Sequence, residues 1–157
     1  MNCKKFGLKN EKRMSKMLKK YSKLKDINKT INSGAFWFSK GDRTGVNFNA
    51  EEFVIEMKSR KNSYRITSKV IRKLWDDAFD ANKLPLFVIL LLSKKYKYLL
   101  TIDIFFLRPT PINDKLPKTF KFDCAWAEKN KNTKHTVYLN DEFGTWGLLI
   151  NVNKEII

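Results

Sequence analysis

Two residues of opposite charge, Glu56 and Lys58, stand two positions apart in the largely apolar segment FVIEMKSR. Side chains alternate between the two faces of a β-strand, so a strand here would place Glu56 and Lys58 on one face together with Val54. The apolar side chains of the other face would be Phe53, Ile55 and Met57. An acid and a base that share a partly buried face need an open cleft, a mutual salt bridge or a metal ion, because unpaired buried charge is costly.

Asp42 lies upstream of this strand, in the glycine-containing turn segment Lys40-Gly41-Asp42. Carboxylates from a turn and a nearby strand suit a hard divalent cation such as Mg²⁺, which prefers oxygen ligands. The ammonium group of Lys58 beside such a cation could hold or polarise a water molecule or a phosphate. This combination predicts phosphodiester chemistry.

The charge of the chain predicts a polyanionic partner. Its 157 residues include 32 Lys and Arg against 16 Asp and Glu, which gives a net charge of +16, more than solubility requires. The excess is concentrated before Ile31, where the only acids are Glu11 and Asp26. Nucleic acid is a better match than an anionic membrane, because a membrane-surface helix would add a broad aromatic and leucine face.

An amphipathic helix is predicted over residues 5–24, where apolar side chains recur at helical spacing. Glu11 falls on the apolar stripe of this helix, three residues before Met14 and seven before Leu18. A charge that only faces solvent is not expected there. Glu11 is therefore a candidate for the same metal site, and the alternative is an ion pair with a structural Lys or Arg.

Two cysteines, Cys3 and Cys124, are too few for a disulfide framework and lack the spacing of a metal site, which predicts a reducing compartment. No apolar run follows the basic start of the chain, so no secretory signal is expected. The apolar run at 84–92 is shorter than the roughly 20 residues of a membrane helix. We expect a cytoplasmic protein without a membrane partner, encoded by a cell, a phage or a mobile element.

The middle of the chain predicts strands on either side of a second helix. A short strand or loop at 31–38 and a strand at 46–48 precede the strand at 53–58. A helix capped by Ser63 or Thr67 ends near Asn82. An apolar strand at 86–92, covered on both faces, then pairs with 96–102. This order predicts an α/β or α+β class, with helices packed on a small mixed sheet.

The sequence after Asp103 has a different character. Residues 108–117 contain three prolines and predict an extended connector. Further strands are predicted at 119–127, 136–139 and 146–152, with a turn at 130–132. Two roles stay open for these strands, which could extend the same sheet or form a dimer surface.

Several other conspicuous residues are expected to be structural. The acids Asp76, Asp77 and Asp80 fit a solvated helix face. His135 is the only histidine and has no cysteine or histidine near it in the sequence, so a surface position is expected. The four tryptophans are expected in the core rather than on a base-stacking surface.

Together these features resemble the PD-(D/E)xK nuclease superfamily, and within it the small Holliday-junction resolvases of archaea and phages. The resemblance covers about residues 5–103. It is carried by Glu11, Ser33-Gly34-Ala35, Lys40-Gly41-Asp42, Glu56-Met57-Lys58 and the helix and strand that follow. Gly41 stands where the motif has proline. The resemblance implies an α/β, restriction-endonuclease-like mixed β-sheet core flanked by helices. We expect a single nuclease domain over residues 1–157, in which about residues 104–157 form a β-rich C-terminal extension that has no counterpart in the resemblance.

The resemblance also implies roles for individual residues. Lys58 would orient the attacking water, and Ser33 would contact the phosphate. Four residues would form a site for Mg²⁺, or for Mn²⁺ in its place: Glu11, Asp42, Glu56 and the main-chain carbonyl of Met57.

The function expected on these grounds is that of a metal-dependent, structure-selective DNA endonuclease, a Holliday-junction resolvase that acts as a homodimer on four-way junctions. An isologous dimer would match the two-fold symmetry of the junction. Phe105, Phe106 and Trp146 are candidates for its apolar contact. The alternatives are a repair or restriction-type nuclease on the same fold and a non-catalytic nucleic-acid-binding protein.

Overall fold

The computed structural model describes residues 13, 14, 16–18, 20, 28–29, 36–37, 53–107 and 115–157. The first helix, α1, is described at residues 13, 14, 16–18 and 20, and its side chains Met14, Met17 and Leu18 are buried. The predicted amphipathic helix is confirmed over these residues. No helix in the described ranges is long and apolar enough to cross a membrane. Two short strands, β1 (Asn28–Lys29) and β2 (Phe36–Trp37), form an antiparallel pair.

A five-stranded sheet in the order β3-β5-β6-β9-β8 forms the centre of the described structure. β3 and β5 are parallel, and the other neighbouring strands are antiparallel. The predicted α/β class is therefore confirmed as a mixed sheet with helices. The strand bounds are β3 Phe53–Lys61, β5 Leu84–Leu92, β6 Tyr96–Phe106, β8 Lys134–Asn140 and β9 Thr145–Ile156.

Helix α2 (Ser68–Asp80) lies between the two parallel strands in the sequence, as the crossover between parallel neighbours requires. Thr67 is its N-cap, and its side chain accepts a hydrogen bond from the Val70 N–H at 3.2 Å. Ser63, the other predicted cap, lies in a strand instead. Asn82 follows the helix with a positive φ of 55°, a conformation that asparagine tolerates better than most residues. The predicted end of the helix is thus confirmed.

The sheet is covered on both faces. On one face, α1 contacts Ile55, Leu86, Val88 and Leu90. On the other face, Leu74 and Ala78 of α2 pack with Val54, Phe87 and Ile89. β5 is buried on both sides, as its continuous apolar sequence predicts. The predicted pairing of 86–92 with 96–102 is also confirmed.

A separate two-stranded antiparallel ribbon is formed by β4 (Ser63–Thr67) and β7 (Thr119–Asp123). The predicted strand at 119–127 is wrong in its second half, because helix α3 (Cys124–Lys129) begins there. Asp123 caps α3 by accepting a hydrogen bond from the Trp126 N–H at 2.7 Å. The apolar alternation of β7 continues in the sequence past the capping residue Asp123, and this pattern favours a strand over the short helix.

The predicted strands at 136–139 and 146–152 are confirmed as parts of β8 and β9, and the predicted turn at 130–132 is also present. β9 pairs with β6 from Tyr96 to Phe106, so these strands extend the main sheet. Trp146 is fully buried, which excludes it as a residue of a dimer surface. Residues 108–114 of the predicted connector and the predicted strand at 46–48 lie outside the described residues.

Candidate functional site

The described structure contains half of the predicted site. Glu56, Met57 and Lys58 lie on β3. The other predicted site residues lie outside the described residues: Glu11, Ser33 and Asp42. The geometry of the site is therefore established for the Glu-x-Lys strand and its surroundings.

The predicted alternation of side chains along β3 is confirmed. Ile55 is buried on the α1 side and Met57 packs there, while Val54 is buried on the α2 side. Glu56 and Lys58 share the α2 side and form a salt bridge of 3.4 Å between Oε1 and Nζ. Their side chains are 16% and 32% exposed, respectively. The acid and the base are therefore half-buried neighbours that water or a ligand can still reach.

The position of β3 in the sheet explains this partial exposure. In the parallel register, Glu56 is paired with Phe87 and Lys58 with Ile89, both of which are fully buried. β3 is one of the two edge strands among the described strands of the main sheet. Glu56 and Lys58 therefore have buried apolar residues of β5 on one side and no described strand of the main sheet on the other side. This position leaves the two charged groups at the edge of the core.

A cavity of about 190 Å³ lies between this part of β3 and helix α2. Glu56 and Lys58 line it from the strand, and Lys73 and Asp77 line it from the helix. Asp76, Asp77 and Asp80 are exposed, as predicted, but Asp77 also faces the same cavity as Glu56. Lys73 and Asp77 are not among the site residues that the sequence predicts. The signal available was their i,i+4 spacing on the helix that crosses over from the Glu-x-Lys strand.

A second and larger cavity, of about 950 Å³, extends the site along the first turns of α2. The two cavities share Val70, Lys73 and Asp77 as lining residues, so they adjoin each other. The larger cavity is also lined by Lys69 and Lys118. The small cavity of Glu56 and Lys58 therefore has a larger cavity beside it.

One wall of the larger cavity is held by the pair Arg72–Asp141. Arg72 Nε donates to Asp141 Oδ2 at 2.6 Å, and Trp146 Nε1 donates to the same oxygen at 2.8 Å. Burial alone would raise the pKa of Asp141, but the hydrogen bonds from Arg72, from Trp146 and from the Phe143 N–H lower it. The guanidinium also lies 4.6 Å from the ring centroid of Phe143 and 4.8 Å from that of Trp146. These contacts give Arg72 a structural role.

Tyr64 interacts electrostatically with Glu56 and with Arg60. The Arg60 guanidinium lies 5.4 Å from the ring centroid of Tyr64. The pKa of Tyr64 is raised mainly by burial, Arg60 opposes this shift, and the negative charge of Glu56 adds to it. The charge of Glu56 therefore acts beyond its partner Lys58. The even spacing of residues 56, 58 and 60 on one strand was a signal for this neighbourhood.

The described residues do not bring three or more Asp, Glu, His or Cys side chains together in a metal-binding arrangement. They place two carboxylates, those of Glu56 and Asp77, on one small cavity. His135 is exposed, as predicted, and packs edge-on against Trp126 at 5.6 Å between ring centroids. A complete cation site around Glu56 would need acids from elsewhere in the chain.

Comparisons with known proteins identify no relative: no model of a protein family, no curated protein and no solved structure matches this chain.

Proposed function

We propose that this protein is a metal-dependent endonuclease that hydrolyses phosphodiester bonds in branched DNA, in the manner of a Holliday-junction resolvase. The observation that carries the proposal is the Glu56–Lys58 pair, which is half-buried on an edge strand and lines a cavity that adjoins a larger one. A carboxylate and an ammonium in such a place are accessible to a phosphate and a water molecule. A partly exposed salt bridge contributes only about 0–1 kcal/mol to stability, so stability alone is a weak reason for this pair.

The chemistry of the donor set fits a hard cation. Glu56 would provide oxygen ligands for Mg²⁺ or Mn²⁺, together with the carbonyl of Met57. A bound Mg²⁺ supplies Lewis-acid stabilisation of the charge that develops on the phosphate. Lys58, 3.4 Å from Glu56, would hold the attacking water in line with the phosphorus and offset part of the negative charge.

The topology supports the finer proposal of a restriction-endonuclease-like core. The Glu-x-Lys strand β3 leads through α2 to the parallel apolar strand β5, which is the order that the resemblance implies. Parallel pairing places the start of β5 beside the start of β3, so that Phe53 pairs with Leu84. In this proposal, residues 104–157 enlarge the core sheet through β8 and β9.

Asp42, Glu11 and Ser33 enter the proposal through the resemblance alone. Asp42 would be the second carboxylate ligand, and Ser33 would contact the phosphate. The described part of α1 packs on the opposite face of β3 from Glu56. Glu11 would therefore have to approach the cation around the border of the sheet at β3.

A net charge of +16 supports DNA as the partner, because the phosphate backbone attracts such a protein without sequence preference. The preference for a four-way junction and the homodimer that would match its symmetry are parts of the same proposal.

A second candidate function is DNA binding without catalysis. The Glu56–Lys58 salt bridge favours it, because the two side chains satisfy each other's charge without a cation. This protein would then use its basic surface for recruitment or architecture.

The experiment that separates the two functions compares DNA substrates with and without Mg²⁺. Four-way junction, duplex and single-stranded DNA are each incubated with the protein in Mg²⁺ and in chelator. The proposed nuclease cuts the junction in Mg²⁺ and stops in chelator. Equal binding in both conditions without any cut establishes the non-catalytic binder instead.

A further inference from the structure

The β4–β7 ribbon places two cations directly opposite each other. Arg65 of β4 pairs with Lys121 of β7 in the antiparallel register, so both side chains project from the same face. Both are exposed, whereas Ile66 and Phe122 on the other face are fully buried. Like charges in directly opposite positions destabilise a two-stranded pair. The facing charges of Arg65 and Lys121 therefore do not stabilise the ribbon.

In the ranges that the structure describes, no ion pair joins Arg65 or Lys121 to a carboxylate. Arg65 Nη1 donates a hydrogen bond to the uncharged hydroxyl oxygen Thr119 Oγ1 at 3.1 Å, which fixes one guanidinium nitrogen on the ribbon face. The remaining donors of Arg65 and the ammonium of Lys121 are available to an anion from outside.

Two more cations lie beside the ribbon, at the start of α2. The Ser68 N–H donates to the main-chain oxygen of Lys118 at 2.9 Å, which places Lys118 against the first residue of the helix. Lys69 lies in the first turn, which contains no acid. Both lysines are exposed. The N-terminal end of a helix carries partial positive charge and favours acids, so Lys69 and Lys118 add to the unfavourable charge.

The large cavity has acids as well as lysines in its lining, so the excess of positive charge is greater on the ribbon face. Lys69 and Lys118 line that cavity, but the acids Asp76, Asp77 and Glu142 line it too. On the ribbon face, the described residues place one acid near Arg65 and Lys121. This acid is Asp123, which pairs with Ser63 and whose Oδ1 accepts the Trp126 N–H at the start of α3, so two cations share this face with one acid that caps a helix.

We propose that these four cations, called here the ribbon surface, bind the phosphodiester backbone of the DNA that the candidate site cuts. The ribbon surface consists of Arg65, Lys69, Lys118 and Lys121. Through Lys69 and Lys118 it adjoins the large cavity, which shares lining residues with the cavity of Glu56 and Lys58. A strand held on the ribbon surface would lead along the start of α2 to the Glu56–Lys58 pair. This inference rests on the proposed function for the identity of the partner.

The test compares two double variants that each remove two positive charges. Arg65→Gln with Lys121→Gln changes the ribbon surface. Lys94→Gln with Lys95→Gln is the matched control, because both lysines are exposed in the turn between β5 and β6, outside the ribbon surface. Binding of a fluorescent four-way junction is measured in chelator over a range of salt concentrations, so that no cleavage interferes. The thermal midpoint of each variant is measured alongside.

For the ribbon variant, the slope of log affinity against log salt should decrease in magnitude by about 1.8, since each lost phosphate contact removes about 0.9. At about 0.1 M salt this corresponds to a loss of affinity of one to two orders of magnitude. The control should keep the wild-type slope. The thermal midpoint of the ribbon variant should equal or exceed that of the wild type, because a repulsion is removed.

Three outcomes would overturn the inference. These are a wild-type slope in the ribbon variant, an equal loss of slope in the control, and a lower thermal midpoint in the ribbon variant, which would give Arg65 and Lys121 a structural role. None of these outcomes bears on the proposed function, which is tested separately by whether the wild-type protein cuts DNA in Mg²⁺ and stops in chelator.

Discussion

Lys58 separates the catalytic from the structural interpretation of the site. The Lys58 side chain is 32% exposed, and its Nζ lies 3.4 Å from Glu56 Oε1. Removing this side chain would therefore cost little packing and would break only a partly solvated ion pair. Lys58→Ala should abolish cleavage of a junction in Mg²⁺ and lower the stability by no more than about 1 kcal/mol. Lys61→Ala, an exposed lysine on the same strand, is the control and should cut normally. A Lys58→Ala protein that cuts at the wild-type rate but melts much earlier would show that the pair is structural.

Glu128 illustrates a charged group whose role is structural. It accepts hydrogen bonds from Lys131, Lys154 and Tyr98, which lower its pKa from 4.5 to about 2. A carboxyl whose pKa is depressed by folding contributes stability above its unfolded-state pKa and loses it as the pH falls through the folded-state value. Its stabilisation should thus be complete at pH 7 and decline between about pH 4.5 and about pH 2.

The variant Glu128→Gln tests this linkage. Its thermal midpoint should be lower than that of the wild type at pH 7, and the difference should shrink steadily as the pH is lowered from 4.5 toward 2. Thermal unfolding followed by circular dichroism at several pH values provides the measurement. A difference that stays constant over this range would mean that the depressed pKa is not the source of the stability.

The packing of Phe105 between strands β6 and β9 requires a glycine at position 147. Phe105 is paired with Gly147 across the two strands, and a Cβ on residue 147 would lie 2.1 Å from Phe105 Cζ. Gly147→Ala should force the ring to move and lower the free energy of unfolding by about 1–3 kcal/mol. Urea unfolding measures the change, and in a Phe105→Ala background the cost should largely vanish. An equal cost in both backgrounds would exclude the ring as the cause.

Most elements could be predicted because their signals are local. Thr67 indicates the start of α2, and the continuous apolar run at 86–92 predicts a strand that is covered on both faces. The missed helix at Cys124 is short, and the apolar residues before it continue the strand pattern of β7. A cap such as Asp123 is a weak signal when an alternating segment runs up to it.

The site was predictable only as far as one strand determines it. Alternation along β3 is enough to place Glu56 beside Lys58. Lys73 and Asp77 join them only because α2 packs over that face of the sheet, which is a tertiary contact. The Arg65–Lys121 pair likewise depends on the register of two strands far apart in the sequence. Pairings over such separations are not encoded in a local pattern.

A resolvase that cuts two strands of a four-way junction needs two active sites in matching orientation, because the junction has two-fold symmetry. The free protein should therefore have the mass of a dimer at micromolar concentrations in high salt without DNA. Trp146 cannot contribute to the interface because it is buried in the core. Light scattering measures the mass directly. A monomer at every concentration would leave one active site per particle and favour a nicking or repair nuclease over a resolvase.

The proposed function rests on the claim that Glu56 is a ligand of the catalytic cation. A cleavage assay follows a labelled four-way junction with wild-type protein, Glu56→Ala and Asp80→Ala in Mg²⁺ and in chelator. Asp80 is the matched control because it is an exposed acid of α2 that lines neither cavity. We predict that the wild type and Asp80→Ala cut the junction in Mg²⁺ only, and that Glu56→Ala binds it at least as tightly but does not cut it. Cleavage by Glu56→Ala at the wild-type rate, or by the wild type in chelator, would contradict the claim.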